Sequence, residues 1–205
     1  MNTAQIIVDN ESVKLKINEN KTHLKCFNKN KIIIDKEQLD LEITLEDNSS
    51  LELIWLNKKI KNSNIIINQN HNTNLIYKQA FLNEEDLKLN IINNIIGNNN
   101  KSEIVIRTIS LKNKIDINIL ASNEKNSKNN EIIEDIKALN FSGLVTIEPN
   151  IKINSLDVIA NHYVTIGQIN KDELFYLMSY GLDEKKAKEL ILNSFLKIDG
   201  GEIDE

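Results

Sequence analysis

Along residues 4 to 120 the apolar positions fall mainly on every second residue. In Val13-Lys14-Leu15-Lys16-Ile17, Leu39-Asp40-Leu41-Glu42-Ile43 and Ile115-Asp116-Ile117-Asn118-Ile119, aliphatic side chains alternate with charged or amide ones. A period of two puts the first set on one face of a strand and the second on the other. Further β-like runs occupy Gln5 to Val8, Lys31 to Ile34, Leu51 to Leu56, Ile65 to Ile67, Leu75 to Tyr77 and Ile104 to Ile109, with clusters of Asn, Asp, Lys and Ser between them. Short strands at such close spacing predict an all-β sandwich, barrel or β-helix. No Asn-Gly or Asp-Gly dipeptide separates two of these runs, so the strongest hairpin signal is missing and the pattern leans toward a solenoid. No repeat of fixed length emerges.

Three stretches read less simply. Asn83-Glu84-Glu85-Asp86, followed by Leu87, Ile91, Ile92, Ile95 and Ile96 and closed by Gly97, fits a capped helix, while Leu87-Lys88-Leu89-Asn90-Ile91 alternates like a strand; the strand is preferred. Ser122 to Asn130 reads as a solvated loop and the expected site of disorder. Glu131 to Leu139 reads either as a strand or as a helical turn. The last quarter is clearer. Asn170 with Glu173 three residues on forms a capping-box pattern, and Leu174, Phe175, Leu177 and Met178 give a short helix an apolar side that stops at Gly181. Asp183 is positioned to cap a second helix, with Ala187, Leu190, Ile191, Ser194, Phe195 and Ile198 on one stripe. Leu192 and Leu196 lie off that stripe, so the second helix either packs on two sides or offers one to a partner.

Composition refines this picture. The 205 residues suffice for one main core plus a small appended helical unit: a β core over 1–169, a helical tail over 170–198 and a frayed acidic end over 199–205. Asn, Ile and Lys are abundant, while there are only 6 Gly and 1 Pro. Asn is then expected to stand in for Gly at turns, because it enters the left-handed region more readily than other side chains. A net charge of -5 and a single arginine, Arg107, leave no basic stripe for a nucleic acid. No apolar run approaches the ~20 residues of a membrane span, and Met1-Asn2-Thr3-Ala4-Gln5 lacks the marks of a secretory leader. The expectation is a cytoplasmic protein without nucleic-acid or membrane partners.

Candidate chemistry is sparse. Cys26 has no second cysteine to pair with and reads as a reduced strand residue; Trp55 reads as core. His23, His71 and His162 lack metal-ligand neighbours at the usual spacings. There is no nucleophile elbow, phosphate loop or dinucleotide fingerprint. Asp and Glu on alternating strands are expected to face solvent. His162 as a general base, with Asp157 or Glu173 nearby, is an enzymatic alternative that no spacing compels.

The closing segment carries a longer pattern: Pro149-Asn150-Ile151-Lys152-Ile153, Asp157-Val158, His162, Ile166-Gly167, Leu174-Phe175-Tyr176-Leu177-Met178-Ser179-Tyr180-Gly181-Leu182, then Ala187, Leu190-Ile191 and Phe195. Over about fifty residues this resembles the carboxy-terminal signature of the SufB/SufD family, scaffold proteins of SUF iron–sulfur cluster assembly, and is closest to its SufD branch in a shortened form. Phe141-Ser142-Gly143-Leu144-Val145 resembles the family's Phe-x-Gly strand. Residues 1 to 140 match only in character.

The resemblance implies a mainly β protein, a right-handed parallel β-helix followed by a helical tail. It implies a non-catalytic scaffold that pairs through the β-helix with a SufB-like subunit, or with itself, and docks a SufC-like ATPase through the tail. His162 then takes the position of the interface histidine. The tail, residues 171–180 and 183–197, takes the docking role through Leu174, Phe175, Tyr176, Leu177, Gly181, Leu192, Phe195 and Leu196. No stably bound cofactor and no resident metal site are implied, only a transient cluster at a shared interface. The cysteine of SufB-type proteins and the glutamate directly after their histidine are absent, since Phe141 and Pro149 nearly abut and Tyr163 follows His162. The alternative is a β-solenoid interaction module that has lost the assembly role.

Overall fold

The computed structural model describes residues 4–198 apart from 38, 57 and 58; the acidic end at 199–205 lies outside the described residues. Fourteen strands alternate between two parallel seven-stranded sheets. The first sheet holds β1 (Ala4–Asp9), β3 (Lys21–Phe27), β5 (Asp40–Leu45), β7 (Ser63–Gln69), β9 (Leu87–Ile95), β11 (Lys114–Asn123) and β13 (Leu144–Lys152), in that order. The second holds β2 (Ser12–Leu15), β4 (Lys29–Ile34), β6 (Ser50–Leu56), β8 (Asn74–Asn83), β10 (Lys101–Ser110), β12 (Asn130–Asn140) and β14 (Val158–Gly167). Each coil of chain adds one strand to each sheet, which makes a β-solenoid. Two helices follow, α1 (Lys171–Ser179) and α2 (Glu184–Leu196).

The register explains why no fixed repeat is visible in the sequence. Thr22 pairs with Ala4, Leu41 with Thr22, Ile65 with Leu41, Ile91 with Ile65, Ile119 with Ile91 and Pro149 with Ile119. The coil therefore lengthens from 18 residues through 19, 24, 26 and 28 to 30. The solenoid widens toward its carboxy-terminal end, so a search at one period finds nothing while the strand alternation persists.

Inward residues stack in rows between the sheets. One row runs Thr22, Leu41, Ile65, Ile91, Ile119; opposite it runs Ile32, Leu53, Tyr77, Ile104. These side chains are 0–1% exposed, and full burial of each large aliphatic contributes about 1.5–3 kcal/mol. Trp55 and Cys26 belong to this core. Trp55 donates from Nε1 to the Lys36 carbonyl at 2.7 Å, and burial pushes the Cys26 thiol up to about 12.

The corners use asparagine as the composition suggested. Asn48, Asn72, Asn99 and Asn129 all adopt positive φ, between 54° and 61°, and their side chains form a ladder. Asn72 donates to Asn48, Asn99 to Asn72 and Asn129 to Asn99, at 3.0, 2.8 and 2.9 Å. Stacked amides satisfy both donor and acceptor from one coil to the next, which a glycine corner cannot do.

The ambiguous stretches resolve as strands: Leu87–Ile95 is β9 and Asn130–Asn140 is β12. The expected loop at 122–130 is an ordered corner in which Asn123 donates to Ser127 and Ser155 and Ser127 is buried; its polar residues hydrogen-bond to each other, which composition alone misreads as solvation.

Candidate functional site

Two features of the carboxy-terminal half stand out from this regular scaffold: the open end of the solenoid and the helical tail. Along β12, Asn130, Ile132, Glu134, Ile136 and Ala138 face inward and are buried, while the residues between them face out. β14 continues the same register, so Val158, Ala160, His162, Val164 and Ile166 project inward. Among the described residues no further coil covers them. Val164 and Ile166 remain 38% and 47% exposed, and on the outer face Ile159 and Tyr163 are also exposed. β14 carries no Asp, Glu, Lys or Arg. A ten-residue terminal strand without charges is the type of edge that pairs with another chain.

His162 stands at the centre of this edge, and its neighbour is unexpected. The inward row Ile32, Leu53, Tyr77, Ile104 continues into Glu134 and then His162. Glu134 is 0% exposed, and neither carboxylate oxygen has a hydrogen-bond partner. Desolvation pushes its carboxyl up to about 7. Glu134 is an exception to the expectation that strand carboxylates face solvent, which Asp40, Glu42, Glu103 and Asp116 meet. The residue after His162 is Tyr163 and not a glutamate, and the carboxylate in register beside His162 lies on the preceding coil. The signal lay in the alternation of 130–138, where a Glu occupies an inward slot, but it is legible only once that stretch is assigned as a strand.

On the outer face beside it, Asp135 sits in register between Val105 of β10 and Tyr163 of β14. The Arg107 guanidinium donates to the Asp135 carboxylate at 2.5 Å and to its carbonyl at 2.9 Å, so the chain's one arginine is committed to the scaffold. Among the described residues no hydrogen bond or ion pair joins His162 to Asp157 or Glu173, and no group of three or more His, Cys, Asp or Glu residues is arranged to hold a metal ion.

The tail forms as its caps dictate. The Asn170 side chain accepts from the Asp172 N–H at 2.9 Å and Asp183 accepts from the Lys186 N–H at 2.8 Å, satisfying amides that a helix start leaves unpaired. Gly181, at φ 92°, ends the first helix, its N–H donating to the Met178 carbonyl at 3.0 Å. Leu174, Ala187 and Ile191 are buried between the helices with Ile169, Leu177, Met178 and Leu182 around them.

The second flank of α2 is packed as well. Leu192, Phe195, Leu196 and Ile198 rest on Ala80, Leu82, Ile109 and Leu139 of the second sheet's outer face and on Leu111 just after β10. Of the tail residues named from sequence, Leu174, Leu177, Leu192, Phe195 and Leu196 thus contribute to the chain's own packing. Phe175 and Tyr176 are 62% and 60% exposed, joined by Tyr180 and Leu190, which the sequence did not single out for docking. The Tyr176 and Tyr180 rings meet at a tilt of 57° with centroids 4.9 Å apart.

Comparison with known proteins bears on this same half. Residues 114–195 match the family described as SUF system FeS cluster assembly, SufBD core domain. The chain is 38% identical over 60 residues to the iron–sulfur cluster assembly protein SufD of Plasmodium falciparum, covering 29% of this chain and 4% of that protein. It is 30% identical over 109 residues to an iron–sulfur cluster assembly SufBD family protein of Archaeoglobus fulgidus, covering 51% and 28%. Against a SufBD family protein of Galdieria sulphuraria it is 28% identical over 109 residues, covering 50% and 48%. The chain thus spans less than half the length of each of these relatives.

Proposed function

With residues 114–195 carrying SufBD core sequence, we propose that the protein is a SufD-like, non-catalytic scaffold subunit in iron–sulfur cluster assembly. The observation that carries this reading is the open, uncharged terminal strand β14 with His162 at its centre, inside the matched segment. β14 pairs with a strand of a SufB-like subunit by main-chain hydrogen bonding, and the apolar side chains left uncovered at the solenoid end are buried in the same step. His162 lies in that contact. The cluster is cargo formed at the shared interface rather than a resident cofactor. The tail docks a SufC-like ATPase through Phe175, Tyr176, Tyr180 and Leu190, because the flank carrying Leu192, Phe195 and Leu196 is already occupied by the solenoid.

The test is reconstitution with a purified SufB-like subunit and a purified SufC-like ATPase from the same cell. The expected result is a stable complex from which Phe175→Asp with Tyr176→Asp removes the ATPase alone, and Val164→Lys with Ile166→Lys removes the SufB-like subunit alone. If neither purified protein associates with the intact chain, the reading is wrong. An interaction module without assembly function would still bind through β14 but leave iron–sulfur enzyme activities in the cell unchanged when deleted.

A further inference from the structure

The row of inward side chains that ends at His162 contains one residue that the scaffold does not explain. Glu134 replaces an aliphatic side chain in an otherwise apolar stack, between Ile104 and His162. Both of its oxygens are buried without a partner. A buried carboxylate left unpaired costs far more than the loss of one hydrogen bond, so a side chain of this type persists where it has work to do.

The groups able to serve it can be enumerated from the register. Facing inward from β10 are Ser102, Ile104, Ile106 and Thr108; from β11 Ile115, Ile117, Ile119 and Ala121; from β13 Val145, Ile147, Pro149 and Ile151. None of these titrates or carries a charge. From β14 comes His162. The nearest charged groups, Asp135, Arg107 and Lys137, stand on the opposite face of the sheet and are paired with one another.

Neighbouring parallel strands lie about 4.8 Å apart, so two side chains at paired positions on one face are within reach of a hydrogen bond. The His162 side chain is exposed and no further strand among the described residues lies over it, which leaves the imidazole free to turn down onto its neighbour.

We propose that Glu134 is the positioning residue for His162: one ring nitrogen of the imidazole donates to the buried carboxylate, and the other is left facing the open end of the solenoid. The carboxylate fixes the ring's tautomer and orientation, and the imidazole supplies the donor that the carboxylate lacks. This deepens the reading of His162 as the interface residue, and its use depends on that reading; the pair itself does not.

The test uses the full chain, alone, and two readouts. Long-range proton–nitrogen spectra of the histidine rings, with His162 identified by its loss in His162→Gln, report the tautomer. The expected spectrum shows one fixed tautomer or a paired imidazolium in the native chain, and the averaged signals of a free imidazole in Glu134→Gln. Thermal unfolding between pH 5 and pH 8 reports the carboxylate. Unpaired, its folded value of about 7 lies above its ordinary 4.5, so the stability it contributes is complete below pH 4.5 and lost as pH rises through 7. His162→Gln is therefore expected to lose melting temperature toward pH 8 more steeply than the native chain. Glu134→Gln and the double variant lack this added slope. Identical ring signals in native and Glu134→Gln chains, or identical pH slopes in native and His162→Gln chains, overturn the proposal. Because no partner is present, these outcomes are independent of whether a SufB-like subunit binds.

Discussion

At the scale of single residues, close approach between coils decides more than side-chain chemistry does. Gly143, in the Phe141-Ser142-Gly143 turn, has no room for a side chain: a Cβ there would lie 2.2 Å from the Asn113 carbonyl oxygen and 2.2 Å from the Ser110 hydroxyl. Asn140 holds the same turn, donating to the Gly143 carbonyl and accepting from its N–H. The glycine of this motif is thus a packing requirement of the solenoid. Gly143→Ala is expected to destabilise by roughly 1–3 kcal/mol, as other overpacked sites do, measured as a lower denaturant midpoint with an unchanged slope. Cys26 makes the complementary case. It is 0% exposed, with a thiol raised to about 12 by burial, so almost no thiolate exists at neutral pH. Alkylation at pH 8 is expected to proceed only through unfolding, slowly in buffer and rapidly in denaturant; quick labelling of the native chain would contradict the buried position.

At the scale of elements, the strands were legible wherever alternation ran for five residues or more, because a half-buried strand writes its two faces directly into the sequence. The short central runs hid their full lengths: Leu75 to Tyr77 is the visible part of β8, Asn74–Asn83, whose later residues Gln79 and Ala80 break the hydrophobic pattern by being small or amide and yet buried. Both helices were legible from their caps, Asn170 and Asp183. What the pattern could not say was which flank of α2 is covered, since that depends on an apolar patch built from Ala80, Ile109 and Leu139, residues of three different strands. The contact makes a prediction. Leu196→Asp places a charge against that patch, where the native side chain is 4% exposed, and removing such a side chain costs about 2–5 kcal/mol. Hydrogen exchange should then quicken in α1 and α2 while the strands from β3 to β9 stay protected. Uniform acceleration across the solenoid would instead mean that tail and solenoid unfold as one unit.

At the scale of the whole molecule, the widening coil gives the solenoid two unequal ends. The family model matches within the wide one, from Lys114 onward. His162 was legible in the sequence through its motif, but Glu134 was not, since its significance arises only when a coil of 28 residues brings it beside His162. The same end leaves Val164 and Ile166 uncovered and Ile147 and Ile151 half covered, at inward positions that earlier coils bury. A solenoid of this kind needs its terminal coil capped, and no described element lies over β14, the helices resting instead on the outer face of the second sheet. The subunit contact proposed for β14 would supply such a cap, and the absence of charge on β14 removes the usual barrier to it. Val164→Lys with Ile166→Lys supplies that barrier. Because both positions are exposed in the single chain, the melting temperature should move by only a few degrees, a shift that corresponds to about 1 kcal/mol in a chain of this size. Sedimentation should show the native chain associating with itself or with an added SufB-like subunit and the variant remaining single. Association that survives both lysines would move the contact off the solenoid end, and with it the role assigned to β14.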